Sequence, residues 1–335
     1  MTVVVTGASG HVGGNLVRAL LARGRPVRAL VRSEDPPALR RLAVEQVLGD
    51  VRDPASLRRA FDGADVVYHL AAVISISGDP TGVVEDTNVT GVRNAAAAAL
   101  ACGVRRMVHF CSVHAFDLSA QDKSVDETLR RVTESPERPG AYDRSKALGE
   151  AEVRRVVERG LDAVIVHPSG VLGRNDFKLS RMGSVFLRLM QRDLPALVPG
   201  GFDWVDVRDV VLGALAAEEK GRTNESYILS GHWSSIRELA GVAARVTGVA
   251  PPRFTCPLAL ARLAALFVRE RDPTAGLEPA FTRESLAALR ANRSLLHDKA
   301  AGELGYTPRP LEDTVRDVYL SFQETGRIPP GSIAS

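Results

Sequence analysis

From Thr2 to His167, short runs of β-branched residues alternate with stretches rich in alanine, leucine and arginine, whose apolar positions recur at helical spacing. Runs such as Val3–Val5 are apolar on both faces, which is how strands read when helices cover both sides of a parallel sheet. The pattern predicts strands at Val3–Val5, Val27–Val31, Glu45–Leu48, Asp65–Leu70, Arg106–Cys111 and Ala163–His167. Helices are expected between them at Val12–Ala22, Ala55–Phe61, Val83–Ala101 and Tyr142–Glu158. Six strands joined by helical crossovers make a doubly wound parallel sheet of the α/β class.

The alternation lapses in two places. Asp117–Gly140 is polar and broken by proline, so it reads as a surface loop leaving a strand end. After His167 come PSGVLGRNDF, a helix near Gly183–Gln191, the stretch GGFDWVDVRDVV and further helical segments. These predict a smaller, mostly helical C-terminal lobe for substrate, residues 171–335, beside a nucleotide-binding unit of residues 1–170. Val207–Glu219 and Tyr227–Leu229 read as a helix and a strand returning to the main sheet, within 205–230. No internal repeat or low-complexity linker divides the chain.

Composition narrows the class without choosing a function. At 335 residues, 45% hydrophobic and 25% charged, the chain is of ordinary globular make-up, and wholesale disorder is excluded. The formal net charge is +3 and the basic residues are scattered, so no nucleic-acid partner is expected. Cys102, Cys111 and Cys256 lack CxxC spacing, and no histidine stands in a ligand-spaced cluster; a reducing, cytoplasmic setting and no catalytic metal are expected. The opening MTVVVTGASG reads as a strand and turn rather than a secretory leader. The most apolar run, Leu258–Val268, is too short to span a bilayer and reads as a helix over a pocket.

Chemistry first appears at Gly7-x-x-Gly10-x-x-Gly13, placed between the first strand and the first helix. There the first glycine permits a tight turn, the second a close approach of backbone N–H groups to a pyrophosphate, and the third tight helix packing. The helix N-terminus adds partial positive charge. A Rossmann-type dinucleotide site follows. The second strand ends in VRALVRSEDP, with Arg32 and Ser33 where an acid would select NAD. A guanidinium there suits the 2′-phosphate of NADP(H), which is therefore favoured; Glu34 and Asp35 keep NAD(H) open.

Tyr142-Asp-Arg-Ser-Lys146 sets a phenol and an ammonium at i and i+4 on one helix face. A nearby cation stabilises a phenolate and makes the phenol a competent proton donor and acceptor. Lysine occurs only at 123, 146, 178, 220 and 299, which makes a chance pairing with tyrosine at this spacing uncommon.

TGASGHVGG, GDVRD near residue 50 and YDRSK, taken with HPSGVLG, VDVRDV and ELGYTPRPLEDTV, resemble the extended short-chain dehydrogenase/reductase family over nearly the whole chain. The similarity is strongest to its dihydroflavonol reductase and 3β-hydroxysteroid dehydrogenase-like branch. It implies Ser112 as the third catalytic group with Tyr142 and Lys146, although Cys111 and Ala115-Phe116-Asp117 depart from the usual pattern. It also implies cofactor contacts from Gly7, Ser9, Gly10, His11 and Val12, with Asp50 and Val51 at the adenine. Leu70, Ala71 and Ala72 would line the ribose and pyrophosphate path, Asn88 would brace the strand near the nicotinamide, and Pro168, Ser169 and Val171 would touch that ring.

The expected activity is NADP(H)-dependent interconversion of a small-molecule carbonyl and its alcohol. His114, Ser169 and Phe186 are candidate substrate contacts; Met182, Val185, Phe186, Leu189 and Met190 form an apolar helical face. Two alternatives use the same residues: an NAD-dependent nucleotide-sugar epimerase or dehydratase, and a non-catalytic NADP sensor. Ser169 stands where nucleotide-sugar enzymes of the family commonly carry asparagine. A homodimer is expected through the helices Val83–Ala101 and Tyr142–Glu158, with the run Ala95–Ala99 permitting close approach.

Overall fold

The computed structural model describes residues 1–75, 78–119, 124–135, 139–257, 260 and 294–333. Seven strands form one parallel sheet: β1 (Thr2–Thr6), β2 (Val27–Val31), β3 (Glu45–Leu48), β4 (Ala64–His69), β5 (Arg106–Phe110), β6 (Ala163–Pro168) and, later in the chain, β9 (Ser226–Leu229). Their order is β3-β2-β1-β4-β5-β6-β9. Strand order reverses between β1 and β4, and in such sheets ligands bind beyond the carboxyl ends of the strands at that crevice.

Helices cover both faces. One face carries α1 (His11–Ala22), α7 (Val207–Lys220) and α9 (Asp298–Leu304), packed on Val3, Val5, Val108, Val164 and Tyr227. The other carries α2 (Pro54–Phe61), α4 (Gly91–Ala101) and α5 (Ala141–Val157), packed on Val4, Val67, Met107 and Ile165. Helix starts follow from local chemistry. Asp53 accepts from Ala55 N and Ser56 N ahead of Pro54 in α2, and Asp206 accepts from Arg208 N to open α7.

The helix expected over Val83–Ala101 is interrupted. A turn, α3 (Val83–Glu85), passes into a π-helical segment at Asp86–Thr90 before α4 begins. The wider turn brings the Asn88 carbonyl so close to α5 that a Cβ on Gly149 would stand 2.3 Å from it. Four residues of the alanine run, Ala95, Ala96, Ala98 and Ala99, are buried inside the single chain. They serve its own core, so they are not available for close approach between subunits.

The C-terminal lobe holds more strand than its sequence pattern suggests. β7 (Gly170–Leu172), β8 (Gly201–Asp206) and β10 (His232–Ser235) form a second sheet in the order β10-β8-β7. It packs with α6 (Arg181–Met190), α8 (Ile236–Thr247) and α10 (Leu311–Glu324) around Phe186, Trp204, Leu239 and Tyr319. The segment after β5 is anchored rather than wholly superficial: Phe116 bridges to Arg131, Val125 bridges to Leu295, and Val125 is buried. Leu258–Val268 lies outside the described residues except for Leu260. No helix among the described residues is long and apolar enough to cross a membrane.

Candidate active site

The turn between β1 and α1 is built from backbone requirements. Gly7 has φ +71°, and a Cβ there would meet the backbone of Leu70 and Ala71 at 2.7 Å. A Cβ on Gly13 would lie 2.2 Å from the Gly7 carbonyl. Only glycine fits either position, and with Gly10 the loop forms a cradle whose N–H groups suit a pyrophosphate. Thr6 fixes the opposing wall: its hydroxyl lies 2.8 Å from His69 Nδ1 and accepts from the N–H groups of Leu70 and Ala71. Ala72 follows, exposed.

At the adenosine end, Arg32 and Ser33 are exposed at the close of β2. Asp50 is held by Arg52 in a bidentate pair that lowers its pKa, with Arg32 adding a smaller effect in the same direction. Val51 is buried against the core beside it. Together these residues fit a dinucleotide, the glycine cradle for its phosphates and the Arg32 edge for its ribose.

Ser112, Tyr142 and Lys146 come together beyond the end of β5. Ser112 caps the turn Val113–Ala115, its hydroxyl accepting from His114 N, and it lies close enough to the Tyr142 phenol to lower that group's pKa. Tyr142 sits in the first turn of α5. Its pKa is raised, chiefly by burial, with Cys111 and Asp143 adding to the rise and Ser112 opposing it. Lys146 is buried one turn further, and its ammonium donates to the Phe110 carbonyl at 2.8 Å. Burial lowers its pKa, against the opposing influence of Cys111 and Glu150.

Asn88 braces this arrangement from the π-helical segment. Its amide accepts from Val73 N and donates to Val73 O and to the Ser145 hydroxyl. Ser145 in turn donates to the Tyr142 carbonyl at 2.7 Å. One side chain thereby ties the loop after β4 to the first turn of α5, and π-helical turns recur at functional sites.

Of the expected substrate contacts, His114 lies beside the phenol. Its Nδ1 is 3.0 Å from Asp143 Oδ1, and its ring meets Tyr142 edge-on and stacks on Phe202. Ser169 instead turns toward the lobe, donating to buried Asp203 at 2.5 Å. Phe186 is wholly inside the core, edge-on to Tyr319, with Leu189 also buried. Its helix spends that apolar face on packing the lobe, so Phe186 is corrected from substrate contact to core. Pro168 ends β6 in the core, and Val171 is half-buried in β7.

Cys111, Glu150 and His167 each offer a ligand atom within 4.8 Å of the others. The donor set does not suit a cation. Arg131 and Arg154 both donate to the Glu150 carboxylate, and His167 is bonded through Nδ1 to the Ser112 carbonyl and through Nε2 to the Ser226 hydroxyl.

Residues 3–230 match the model of the NAD dependent epimerase/dehydratase family. The chain belongs to that family. It is an extended short-chain dehydrogenase/reductase, as the motifs implied. A relative named sterol demethylase protein B, from Methylococcus capsulatus, is 38% identical over 332 residues, covering 98% of this chain and all of that protein. A Synechocystis protein described as dihydroflavonol 4-reductase-like is 32% identical over 97% of this chain and 95% of its own length. The crystal structure of gox2253 superposes with a TM-score of 0.83 at 34% identity, over 98% of this chain and 99% of that one.

Several residues that shape this family member's site escaped the sequence reading. Asp143 could have been noticed, because it directly follows Tyr142 in the motif. Phe202 and Lys178 carried no such signal: both reach the site from the second lobe, and neither sits in a motif.

Proposed function

We propose that the protein is an NADP(H)-dependent oxidoreductase that interconverts the ketone and alcohol of an apolar, ring-containing substrate. The observation that carries the reading is the convergence of Ser112 and the Tyr142 phenol beyond the end of β5, with Lys146 one helical turn away on α5. When bound, NADPH supplies a hydride from its nicotinamide. Tyr142, kept protonated by burial, donates its proton to the substrate oxygen, and Ser112 hydrogen-bonds the same oxygen as charge develops on it. The buried Lys146 ammonium stabilises the phenolate left behind.

Similarity to a sterol demethylase protein and to a dihydroflavonol 4-reductase-like protein supports a fused-ring or aryl-substituted substrate. The stacked rings of His114 and Phe202 offer such a molecule a flat apolar wall. Asp143 holds His114 Nδ1, which leaves Nε2 to meet a second substrate oxygen. The three free cysteines support a reducing, cytoplasmic setting, and a homodimer through the outer faces of α4 and α5 completes the proposal.

Purified protein should consume NADPH when offered alicyclic and sterol-type ketones, followed by loss of its absorbance. NADPH should bind at least tenfold more tightly than NADH by calorimetry. NAD that survives purification, together with turnover of a nucleotide sugar, would overturn this reading in favour of an epimerase or dehydratase.

A further inference from the structure

Residues 174–178 of the second lobe lie across the start of α1. The Arg174 carbonyl lies 2.9 Å from His11 Nε2 and accepts from Asn15, and Asn175 donates to the Asn15 side chain. Phe177 packs its ring against the Arg18 guanidinium. The segment is therefore fixed to the nucleotide-binding unit by its backbone and by three α1 side chains. At its end, Lys178 reaches back over the glycine turn until its Nζ stands 3.5 Å from the Ser9 hydroxyl.

That position sets two cations against each other. Lys178 and Arg32 are close enough for the guanidinium to depress the lysine pKa, on top of a larger effect from partial burial. Among the described residues, no carboxylate forms an ion pair with either. Asp50, which faces Arg32, is already engaged by Arg52. Two like charges close enough to repel, one of them beside the Ser9 hydroxyl, are unfavourable until an anion sits between them.

We propose that Lys178, reaching in from the second lobe, joins Arg32 and Ser9 in a binding site for a phosphate monoester, the 2′-phosphate of the cofactor's adenosine ribose. The placement argues for that phosphate over the pyrophosphate. The pyrophosphate belongs at the N–H groups of the first turn of α1, whereas Arg32 closes the neighbouring strand on the ribose side. A dianion accepting from a guanidinium, an ammonium and a hydroxyl would be held at three corners. Because one corner belongs to the other lobe, NADP(H) binding would add a link between the lobes at this edge that NAD(H) lacks. The inference rests on the NADP(H) reading above.

The test is calorimetric titration of wild-type protein and Lys178→Gln with NADPH, NADH, adenosine 2′-monophosphate and adenosine 5′-monophosphate. Lys178 is exposed, so the variant should fold as the wild type does, which thermal melting without ligand checks. The expected result is a roughly tenfold loss of affinity for NADPH and for the 2′-monophosphate, with NADH and the 5′-monophosphate changed less than twofold. Equal loss for NADPH and NADH would move Lys178 to the pyrophosphate and overturn the proposal, as would no loss for either. The underlying cofactor reading is tested separately by the wild type alone: it fails if wild-type protein binds NADPH no more tightly than NADH. If wild-type protein prefers NADPH and Lys178→Gln keeps that preference unchanged, only the lysine's part is lost.

Discussion

The two ends of the cleft are made from different materials. At the glycine turn nearly every requirement is met by backbone: a left-handed Gly7, a Gly13 that must lack a Cβ, and a turn closed by the Gly10 N–H donating to the Gly7 carbonyl. At Tyr142 almost nothing is. The phenol stands among side chains brought in from several elements: Ser112 from the end of β5, Asn88 from a π-helical turn, Ser145 and Lys146 from its own helix, and the His114–Asp143 pair. The first site is local in sequence, about one turn of chain, and its requirement is backbone shape. The second is assembled from side chains spread across more than fifty residues.

Changes at the second end should therefore cost rate while leaving nucleotide binding intact. Tyr142→Phe keeps the ring and its packing and removes only the proton donor. Turnover should fall by about 10³-fold, with NADPH affinity within twofold of wild type. Measuring both on one preparation is the sharpest challenge to the comparison, since undiminished turnover would show that the phenol takes no part.

A change at the first end should do the reverse. In Gly13→Ala the new methyl would meet the Gly7 carbonyl at 2.2 Å and Ala8 Cα at 2.8 Å, both backbone atoms that cannot swing aside. A loss of about 3 kcal/mol in urea unfolding and a drop of more than tenfold in NADPH affinity are expected. Gly241 provides the control. It lies inside α8 with nothing within 4 Å of its Cβ position, so Gly241→Ala should stabilise by about 0.5–1 kcal/mol. If both substitutions behave alike, steric crowding is not what the turn requires.

Acid should expose a third contrast, between the dry strand ends and the solvated surface. Burial lowers the pKa of His69 to about 3 and of His167 to about 4, and pushes His109 well below its ordinary value, with Lys146 adding to the effect at His69 and His109. Both nitrogens of His109 and Nε2 of His69 are buried without a hydrogen-bond partner. Each ring is neutral in the folded chain and takes up a proton when unfolded. Stability is therefore complete above about pH 6.5 and falls as pH drops toward the folded values, by about 2 kcal/mol each for His69 and His167 at pH 5, with His109 acting in the same direction. Glu150 adds to the loss at lower pH: burial would raise its pKa, but His167, Arg131 and Arg154 hold it at about 2, so its contribution disappears as pH falls below about 4.5. Urea midpoints at pH 8, 6.5, 5 and 4 check the sign, and a midpoint that rises on acidification would contradict it.

This division also explains what could be read from the sequence. β2 and β3 fall at the expected residues, and the other main-sheet strands differ by about one residue at an end, because a run such as TVVVT fits little besides a buried parallel strand. The glycine spacing was legible for the same reason: its meaning lies in the backbone of one short segment. The second sheet was not, because GFDWVD shows no apolar alternation that separates it from a loop, and its partners HWSS and GVL are short and distant. Phe186 looked like a pocket residue because an apolar helical stripe is the same whether it faces a ligand or Tyr319. The π-helical turn at Asn88 left no sequence mark.

His114 tests whether the substrate end is more than a shell around Tyr142. Its ring stacks on Phe202 at 5.6 Å between centroids, so His114→Phe preserves the aromatic wall while deleting both ring nitrogens. Asp143 is only partly buried, so losing its partner should cost little stability. If Nε2 meets a substrate oxygen, one hydrogen bond disappears from ground state and transition state alike. KM should then rise about fivefold with kcat within twofold. A fall in kcat matching that of Tyr142→Phe would instead place the imidazole in the proton transfer, and an unchanged KM would remove His114 from the substrate's path.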